Sequence, residues 1–187
     1  MALLLESERL ILRPWRAADL AHLVTMNADP AVMEFMPALL DAAESAVQAA
    51  RFRLHFDRHG FGPWAIQEKD GASFLGFVGL LVVGFEAPFT PAIEIAWRLA
   101  RPHWGRGIAT EAARRALAFG FGPGGMAEIV SFTVPQNRRS RAVMERLGLV
   151  RDPAGDFDHP ALPAGHALRR HVLYRLPADR FVTTAGY

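Results

Sequence analysis

The run of residues from 92 to 119 constrains the fold more than any other part of this sequence. Residues 92–100 alternate in polarity as a strand does, a turn with glycines at 105 and 107 follows, and residues 107–119 place small apolar side chains at helical spacing. A strand, a glycine turn and a helix in immediate succession indicate a protein that combines sheet and helix.

Similar patterns divide the rest of the chain. Strands are predicted at residues 8–13, 64–68, 74–85, 128–134 and about 168–176, and helices at 17–27, 41–58 and 137–147. Asp41 followed by Glu44 is a typical helix start, and Lys69-Asp70-Gly71 is a typical hairpin turn. Residues 152–165 contain three prolines and two glycines, so we expect a long functional or mobile loop. The pattern predicts a single α+β domain over residues 1–187.

Composition limits the class of protein. The chain has 187 residues, of which 51% are hydrophobic and 21% charged, and these values are typical of a globular protein. The net charge is +2, and the sequence pI of about 9.6 is weak evidence for nucleic-acid binding because Lys69 is the sole lysine. The absence of cysteine excludes disulfides, thiolate metal sites and a cysteine nucleophile.

Location and partners follow from the same reading. The longest apolar run, residues 74–85, is shorter than the roughly 20 residues that a membrane helix requires, and no export signal is visible. We therefore expect a cytoplasmic protein, a monomer or homodimer, that binds neither membrane nor nucleic acid directly.

The glycine turn has the chemistry of a phosphate site. Successive main-chain N–H groups and the positive end of a helix meet there. Gly105 and Gly107 allow close approach of a ligand, and Arg106 can add a charged donor. A dinucleotide-binding fold fits poorly because Thr110 stands where a third glycine is required. A P-loop is excluded for lack of Gly-Lys-Ser/Thr.

The motifs taken together resemble those of a known family. Trp104-Gly105-Arg106-Gly107-Ile108-Ala109-Thr110 and the segment from Asn137 to Leu149 resemble the acetyl-CoA motif and the following helix of GNAT N-acetyltransferases. More narrowly, they resemble the branch that contains the ribosomal-protein N-terminal acetylases. The resemblance implies an α+β GNAT fold, with a mixed, mostly antiparallel, splayed sheet flanked by helices on both faces. It also implies transfer of acetyl from acetyl-CoA to a primary amine, either a protein N-terminus or a small molecule.

The resemblance also implies which residues bind the coenzyme. Residues 104–110 are expected to cradle the pyrophosphate of acetyl-CoA, although Trp104 stands where the family usually has Gln or Arg. Main-chain donors of Trp97, Arg98 and Leu99 are expected to hold the thioester oxygen.

Three positions on the helix that starts at Asn137 are expected at the coenzyme as well. Asn137 is a good helix N-cap and, by resemblance, meets the pantetheine arm. Many relatives carry a tyrosine seven residues later that protonates the departing thiolate, but here that position is Met144, which cannot donate. Ser140 shares the inward face and becomes the candidate general acid. Alternatively, water is the acid and Ser140 only hydrogen bonds to main chain or pantetheine.

Glu94 is the candidate general base. Strand alternation places it on one face between Ala92 and Ala96, which leaves open space above the carboxylate. By resemblance, an acid at this position often deprotonates the amine through water. The alternative is a structural glutamate that pairs with an arginine.

Other polar clusters have weaker interpretations. The arginines at 138, 139, 141 and 146 are interpreted as a largely solvated helix face, or alternatively as contacts of the CoA 3′-phosphate or of an acidic partner. The Asp and His residues between 156 and 171 match no metal motif, so no metal is expected. Trp15, Phe35 and Met36 are expected either in the core or along an acceptor groove.

Two other functions stay open at this point. A non-catalytic CoA-binding regulatory domain is compatible with the missing tyrosine, and an Arg-rich RNA-associated protein is the third hypothesis. The acceptor is also open between a ribosomal-protein N-terminus, an antibiotic, a polyamine and an amino acid.

Overall fold

The computed structural model describes residues 3–71 and 73–182 of the chain. Within these residues, the strands are β1 (Leu5–Glu6), β2 (Leu10–Arg13), β3 (Pro63–Glu68), β4 (Phe74–Val82), β5 (Ile93–Leu99), β6 (Glu128–Thr133), β7 (Val150–Asp158) and β8 (Arg170–Pro177). The helices are α1 (Asp19–Asn27), α2 (Ala42–His59), α3 (Ile108–Phe121) and α4 (Arg138–Arg146). Most elements agree with the sequence patterns to within a few residues.

The strands form one eight-stranded sheet in the order β1-β2-β3-β4-β5-β6-β8-β7. Neighbouring strands run antiparallel except β5 and β6, which run parallel. This arrangement confirms the mixed, mostly antiparallel sheet expected from the sequence.

The sheet opens between β5 and β6. Their pairing has a single register pair, Glu94 with Val130. One residue further along β6, the hydroxyl of Ser131 donates to the carbonyl of Ile95 at 2.8 Å, in place of a main-chain N–H. The ladder ends there and β5 and β6 diverge beyond this point, so the expected splay is confirmed.

Helices cover both faces of the sheet. On one face, the buried Ala112, Ala113 and Ala116 of α3 lie among the core residues Leu80 and Ile95, and their small size lets the helix approach β4 and β5 closely. On the other face, α1 and α2 pack through the rings of Trp15, Phe52, Phe74 and Phe77, whose contacting centroids are 5.0–6.1 Å apart. None of the described helices is both long and apolar enough to span a bilayer.

Helix α2 begins where the sequence predicts. The face that it turns to the sheet is, however, not the one that carries its most regular apolar stripe. Asp41 and Glu44 form the expected capping box. Val47 and Leu54 of the stripe Ala43, Val47, Ala50 and Leu54 are nevertheless 51% and 45% exposed. The face turned to the sheet instead carries the buried Ser45 and Ala49 together with Phe52 and Phe56.

The segment after α4 corrects the expectation of a long loop at 152–165. Its first part belongs to β7, which pairs with β8 and has an irregular register between Asp152 and Phe157. β7 is an edge strand, where a proline such as Pro153 removes no ladder hydrogen bond that the sheet needs. Gly155 sits at the irregularity, and a Cβ there would lie 2.4 Å from a side-chain carbon of Leu173.

A buried ion pair joins β2 to α1. Arg13 donates two hydrogen bonds to Asp19, at 2.7 and 2.8 Å, and each side chain is 4% exposed. Burial alone would raise the pKa of Asp19, but these donors and the N–H of Arg16 lower it below the usual value. The pair fixes the start of the helix that ends at Asn27.

We predict that Asp19→Asn lowers the free energy of unfolding by about 3 kcal/mol at pH 7, because breaking a buried pair leaves Arg13 uncompensated. Because the folded-state pKa of Asp19 is depressed, its stabilisation is present above the unfolded value of about 3.8 and is lost as the pH falls through the folded value, so the gap narrows in acid. Urea titration measures the difference. The control is Glu6→Gln, which breaks an exposed pair with Lys69 and is expected to cost under about 0.5 kcal/mol; equal losses in the two variants would contradict the prediction.

Candidate active site

A cleft of about 1160 Å³ lies where β5 and β6 diverge. The ends of β5, the turn before α3 and the first turns of α3 and α4 line it, together with Val32, Phe35 and Met36 from the segment between α1 and α2. Its volume exceeds the roughly 300–1,000 Å³ typical of sites for drug-sized ligands. The cleft therefore suits a long ligand.

The turn before α3 presents a continuous row of free donors. Six consecutive main-chain N–H groups, from Gly105 to Thr110, donate to no other described residue. Gly105 and Gly107 have φ of +75° and +77°, a conformation that other residues rarely adopt. With the positive end of α3 behind them, these N–H groups form an anion site of the kind that binds phosphate.

The turn is anchored by the segment that connects β1 to β2. Glu111, in the first turn of α3, accepts hydrogen bonds from the Ser7 hydroxyl at 2.7 Å and from the main-chain N–H of Arg9 at 2.9 Å. The Arg9 side chain donates to Glu111 and also to the carbonyl of Arg106. Sequence analysis missed Arg9 and Glu111, because they are separated by 102 positions and no local spacing connects them.

Trp104 has a structural role at the first position of the turn. Its indole N–H donates to the carbonyl of Leu99 at 2.9 Å, so the ring ties the turn to the end of β5. The guanidinium of Arg139 lies 4.7 Å from the same ring and pairs with Glu34 at 2.5 Å. Arg139 thereby connects three walls of the cleft.

Positive charge is concentrated in the cleft. The lining includes two glutamates, Glu8 and Glu111, against six arginines: Arg9, Arg98, Arg114, Arg138, Arg139 and Arg146. Arg138, Arg139 and Arg146 are exposed, as a solvated helix face requires, and they also line the cleft, whereas Arg141 donates to Tyr174 and to the carbonyl of Pro135. Among the described residues, Arg114, Arg138 and Arg146 have no ion-pair partner.

The end of β5 offers two further main-chain donors. In the register with β4, Ala100 donates to Leu75 and Val83 to Ala92, so even-numbered residues of β5 bond to β4 and odd-numbered residues point toward β6. Because the β5–β6 ladder ends at Glu94 and Val130, the N–H groups of Trp97 and Leu99 have no ladder partner. They point into the opening between the strands.

Glu94 lies on the α1/α2 face of β5, beyond the residues that line the cleft. It is partly exposed, and no hydrogen bond or ion pair joins its carboxylate to another described residue. Protein surrounds it on most sides, and this burial raises its pKa to about 8. The structural alternative, a glutamate paired with an arginine, is not what the described residues show.

The three expected residues of α4 are placed differently from one another. Asn137 is the N-cap and accepts from the N–H of Ser140, while its amide donates to Thr133 at 3.0 Å. Ser140 lines the cleft, and its hydroxyl has no partner among the described residues. Met144 is 1% exposed in the core and is not among the residues that line the cleft.

Several other expected residues are only partly at the site. The Arg106 side chain pairs with Glu68 at 2.6 Å, so its main-chain N–H alone joins the cradle. Phe35 and Met36 line the cleft, whereas Trp15 is in the core. Within residues 3–71 and 73–182, no three His, Asp or Glu side chains are grouped as a metal site.

Comparison with known proteins identifies the same fold and family. The sequence model of the acetyltransferase (GNAT) domain matches residues 9–150. The uncharacterized protein YkkB of Bacillus subtilis is 30% identical over 146 residues, which cover 78% of this chain and 84% of YkkB.

Two solved structures are similar over nearly the whole chain. An acetyltransferase from Agrobacterium tumefaciens has a TM-score of 0.75 and 28% identity, covering 93% of this chain and 94% of its own. RimJ of Mycobacterium smegmatis, solved with CoA-disulfide, has a TM-score of 0.76 and 25% identity, covering 99% of this chain and 90% of its own.

We predict that Gly107→Ala weakens the binding of coenzyme A, the ligand expected from the sequence, by about tenfold or more. The substitution strains the left-handed position by about 1–2 kcal/mol and tilts the N–H groups of the cradle. Isothermal titration calorimetry measures the affinity. Gly60→Ala is the matched control, because Gly60 has a φ of +73° with open space around it but caps α2. We expect both variants to be destabilised to a similar extent, but only Gly107→Ala to bind coenzyme A more weakly than the parent. Equal affinities of the two variants for coenzyme A would contradict the prediction.

Proposed function

The chain belongs to the acetyltransferase (GNAT) family, and on that premise we propose that it acetylates an α-amine by direct attack on acetyl-CoA within a ternary complex. Transfer of acetyl from acetyl-CoA to an amine is the activity of the family. The proposal rests on the row of six free N–H groups from Gly105 to Thr110. This row follows β5, the strand that bears Glu94 and that diverges from β6. The absence of cysteine supports direct attack, because no thiol is available to accept the acetyl group first.

The cleft residues fit the coenzyme in three places. The N–H groups of residues 105–110 would hold the pyrophosphate. Arg114, Arg138 and Arg146, which form no ion pair with another described residue, suit the 3′-phosphate. Asn137 and Ser140 would border the pantetheine arm. When bound, acetyl-CoA supplies an activated thioester carbonyl, whose oxygen would accept from the free N–H groups of Trp97 and Leu99.

Glu94 is the proposed general base. About three residues of strand, or roughly 10 Å, separate it from Trp97, so the proton must pass through water. A carboxylate with a pKa of about 8 is well matched to an α-amine, whose reference pKa is about 7.7–8.0, and poorly matched to lysine at about 10.4. This match favours an α-amine acceptor.

Ser140 is the proposed general acid. Its hydroxyl is free, lies in the cleft lining and belongs to the helix whose N-cap borders the expected pantetheine arm. Met144 is buried elsewhere. Tyr174 is also buried, and its hydroxyl is shared with Arg141 and Glu145. Neither residue can therefore take this role.

We predict that Glu94→Gln lowers kcat by about 100-fold or more, the usual size of a general-base contribution. Affinity for coenzyme A is expected to change little, because Glu94 lies outside the coenzyme cleft. The parent enzyme's kcat should rise with pH up to about 8, the pKa at which Glu94 becomes the required carboxylate. Acetylation of an α-amine peptide and a small-amine panel, followed by mass spectrometry, provides the assay. Coenzyme binding without turnover on any amine would instead favour a non-catalytic CoA-binding domain.

The same substitution is expected to stabilise the protein in alkali. Because the folded-state pKa of Glu94 is raised above its unfolded value, ionisation penalises the folded state as the pH rises from about 4.5 toward 8. Glu94→Gln removes this penalty. The difference in melting temperature between variant and parent should therefore grow between pH 5 and pH 9, and a constant difference would show that Glu94 is not buried in this way.

Ser140→Ala tests the general acid. We expect kcat to fall about tenfold while the affinity for coenzyme A stays within about threefold, since the hydroxyl acts on the leaving thiolate. Steady-state kinetics and calorimetry measure the two quantities. A raised KM for acetyl-CoA with unchanged kcat would show that Ser140 only contacts the coenzyme and that water is the acid.

A further inference from the structure

Arg98 brings an uncompensated positive charge to the cleft. It lines the cleft from the α1/α2 side, and no carboxylate of the described residues pairs with it. Burial lowers its pKa to about 10, so the guanidinium is still protonated at neutral pH. Arg13 is buried and has Asp19 as a partner, whereas Arg98 is partly buried and has no carboxylate partner among the described residues. Since withdrawing a charge from water without a partner is costly, the lack of one at Arg98 requires an explanation.

The contacts of Arg98 hold its orientation without neutralising it. Its Nη1 donates to the Asn27 side-chain carbonyl at 2.7 Å, and both terminal nitrogens contact the sulfurs of Met33 and Met36 at 3.3 Å. Its guanidinium carbon lies 5.3 Å from the centroid of the Phe77 ring. Each of these partners is uncharged.

The side chain of Asn27, which accepts from Arg98, is itself held in one orientation. It is 0% exposed, and its amide nitrogen donates to Ser45 at 3.0 Å and to Gln48 at 2.9 Å on α2. With both amide hydrogens committed to α2, the carbonyl oxygen faces Arg98. Three elements, α1, α2 and β5, therefore cooperate to aim one guanidinium, which is more than a side chain used only for packing requires.

The direction of Arg98 separates it from the phosphate cradle. Arg98 is paired in register with Phe77 on the α1/α2 face, whereas α3 covers the opposite face. Glu94 is on the same face as Arg98, with Ala96 between them. The strand thus presents an anion-binding group and a proton acceptor about 13 Å apart at their Cα atoms, on the side away from the cradle.

We propose that Arg98 binds a carboxylate of the acceptor, so that the substrate is an amine that carries a carboxylate a few ångströms away, as an amino acid does. The inference rests on the proposed function, in which the amine is delivered near Trp97 and loses its proton toward Glu94. The carboxylate then points to Arg98, and the apolar lining by Val32, Phe35 and Met36 suits an apolar substituent. Polyamines and other polycations are disfavoured, because Arg98 repels them.

Pairing with Arg98 also favours the reaction itself. A neighbouring carboxylate raises the pKa of an amine, and a guanidinium bound to that carboxylate offsets the effect. The bound amine therefore loses its proton more readily than the same amine free in water. Arg98 acts in this account on substrate specificity, through direct contact with the acceptor.

The test compares acceptors that differ only in the anion. One pair is L-phenylalanine and its carboxamide, and the other is a pair of peptides that begin with Asp-Phe or Asn-Phe. The measured quantity is the ratio of kcat/KM for the carboxylate member to that for the neutral member. We expect Arg98→Gln to reduce this ratio about tenfold or more, and Arg98→Lys to reduce it less. Comparing ratios between variants cancels the difference in amine pKa within each pair.

Arg101→Gln is the matched control, because it removes a positive charge from an exposed residue that follows β5 and does not line the cleft. Its ratio should equal that of the parent. If Arg98→Gln reduces the ratio tenfold in the amino-acid pair, the carboxylate belongs to a free amino acid. If it does so in the peptide pair, the carboxylate belongs to an acidic N-terminal residue. An unchanged ratio in both pairs overturns the inference while leaving acetyl transfer intact.

If no amine is acetylated, the proposed function is overturned. The role of Arg98 in binding a carboxylate is then tested by binding measurements. Calorimetry of each pair with protein saturated in coenzyme A then measures selectivity without turnover. The inference would be supported if the parent binds the carboxylate member more tightly and if Arg98→Gln or Arg98→Lys reduces this preference. Equal binding of both members would overturn it.

Discussion

The early end of the β5–β6 ladder is the constraint on which the rest of the site depends. A parallel pair that continued past Glu94 and Val130 would close the sheet and use the N–H groups of Trp97 and Leu99 in hydrogen bonds. The ladder ends where the Ser131 hydroxyl donates a hydrogen bond to the Ile95 carbonyl, so this buried acceptor has a partner at the point of divergence. The opening thus costs the sheet little. It leaves two main-chain donors pointing into the gap between the strands and separates the side of β5 that carries the phosphate cradle from its α1/α2 side.

The charges around this opening lie on two sides of β5. The side of the phosphate cradle collects arginines and two helix N-termini, although the whole chain carries a net charge of only +2. Such concentration attracts a polyanion that the overall charge would hardly attract. On the other side, Glu94 and Arg98 share one strand face but form no ion pair, since four residues of extended chain keep them apart. Their separation keeps both groups available to a ligand.

The sequence predicted those parts of the site that are local in the chain. The cradle was readable because its glycines, its helix and its free N–H groups lie within seven consecutive residues. The strand face that carries Glu94 was predictable from strand alternation. The Arg9–Glu111 anchor and the contact of Arg98 with Asn27 were not predictable, because they join residues that lie far apart in sequence. The family resemblance implied a coenzyme contact for Met144, which lies buried in the core and is not among the residues that line the cleft.

Helix α2 shows how tertiary context overrides a pattern. Helix α2 has two stripes with helical spacing, and the one with Ser45 faces inward because Asn27 supplies a donor to the serine hydroxyl. Hydrophobicity alone would choose the other stripe, which includes Val47 and Leu54. The same choice aligns Ser45 and Gln48 with Asn27 and, through Asn27, with Arg98. A buried serine that weakens the apolar pattern of a helix is therefore part of the arrangement that aims a guanidinium into the cleft, and the irregularity in the pattern was itself a signal of the site.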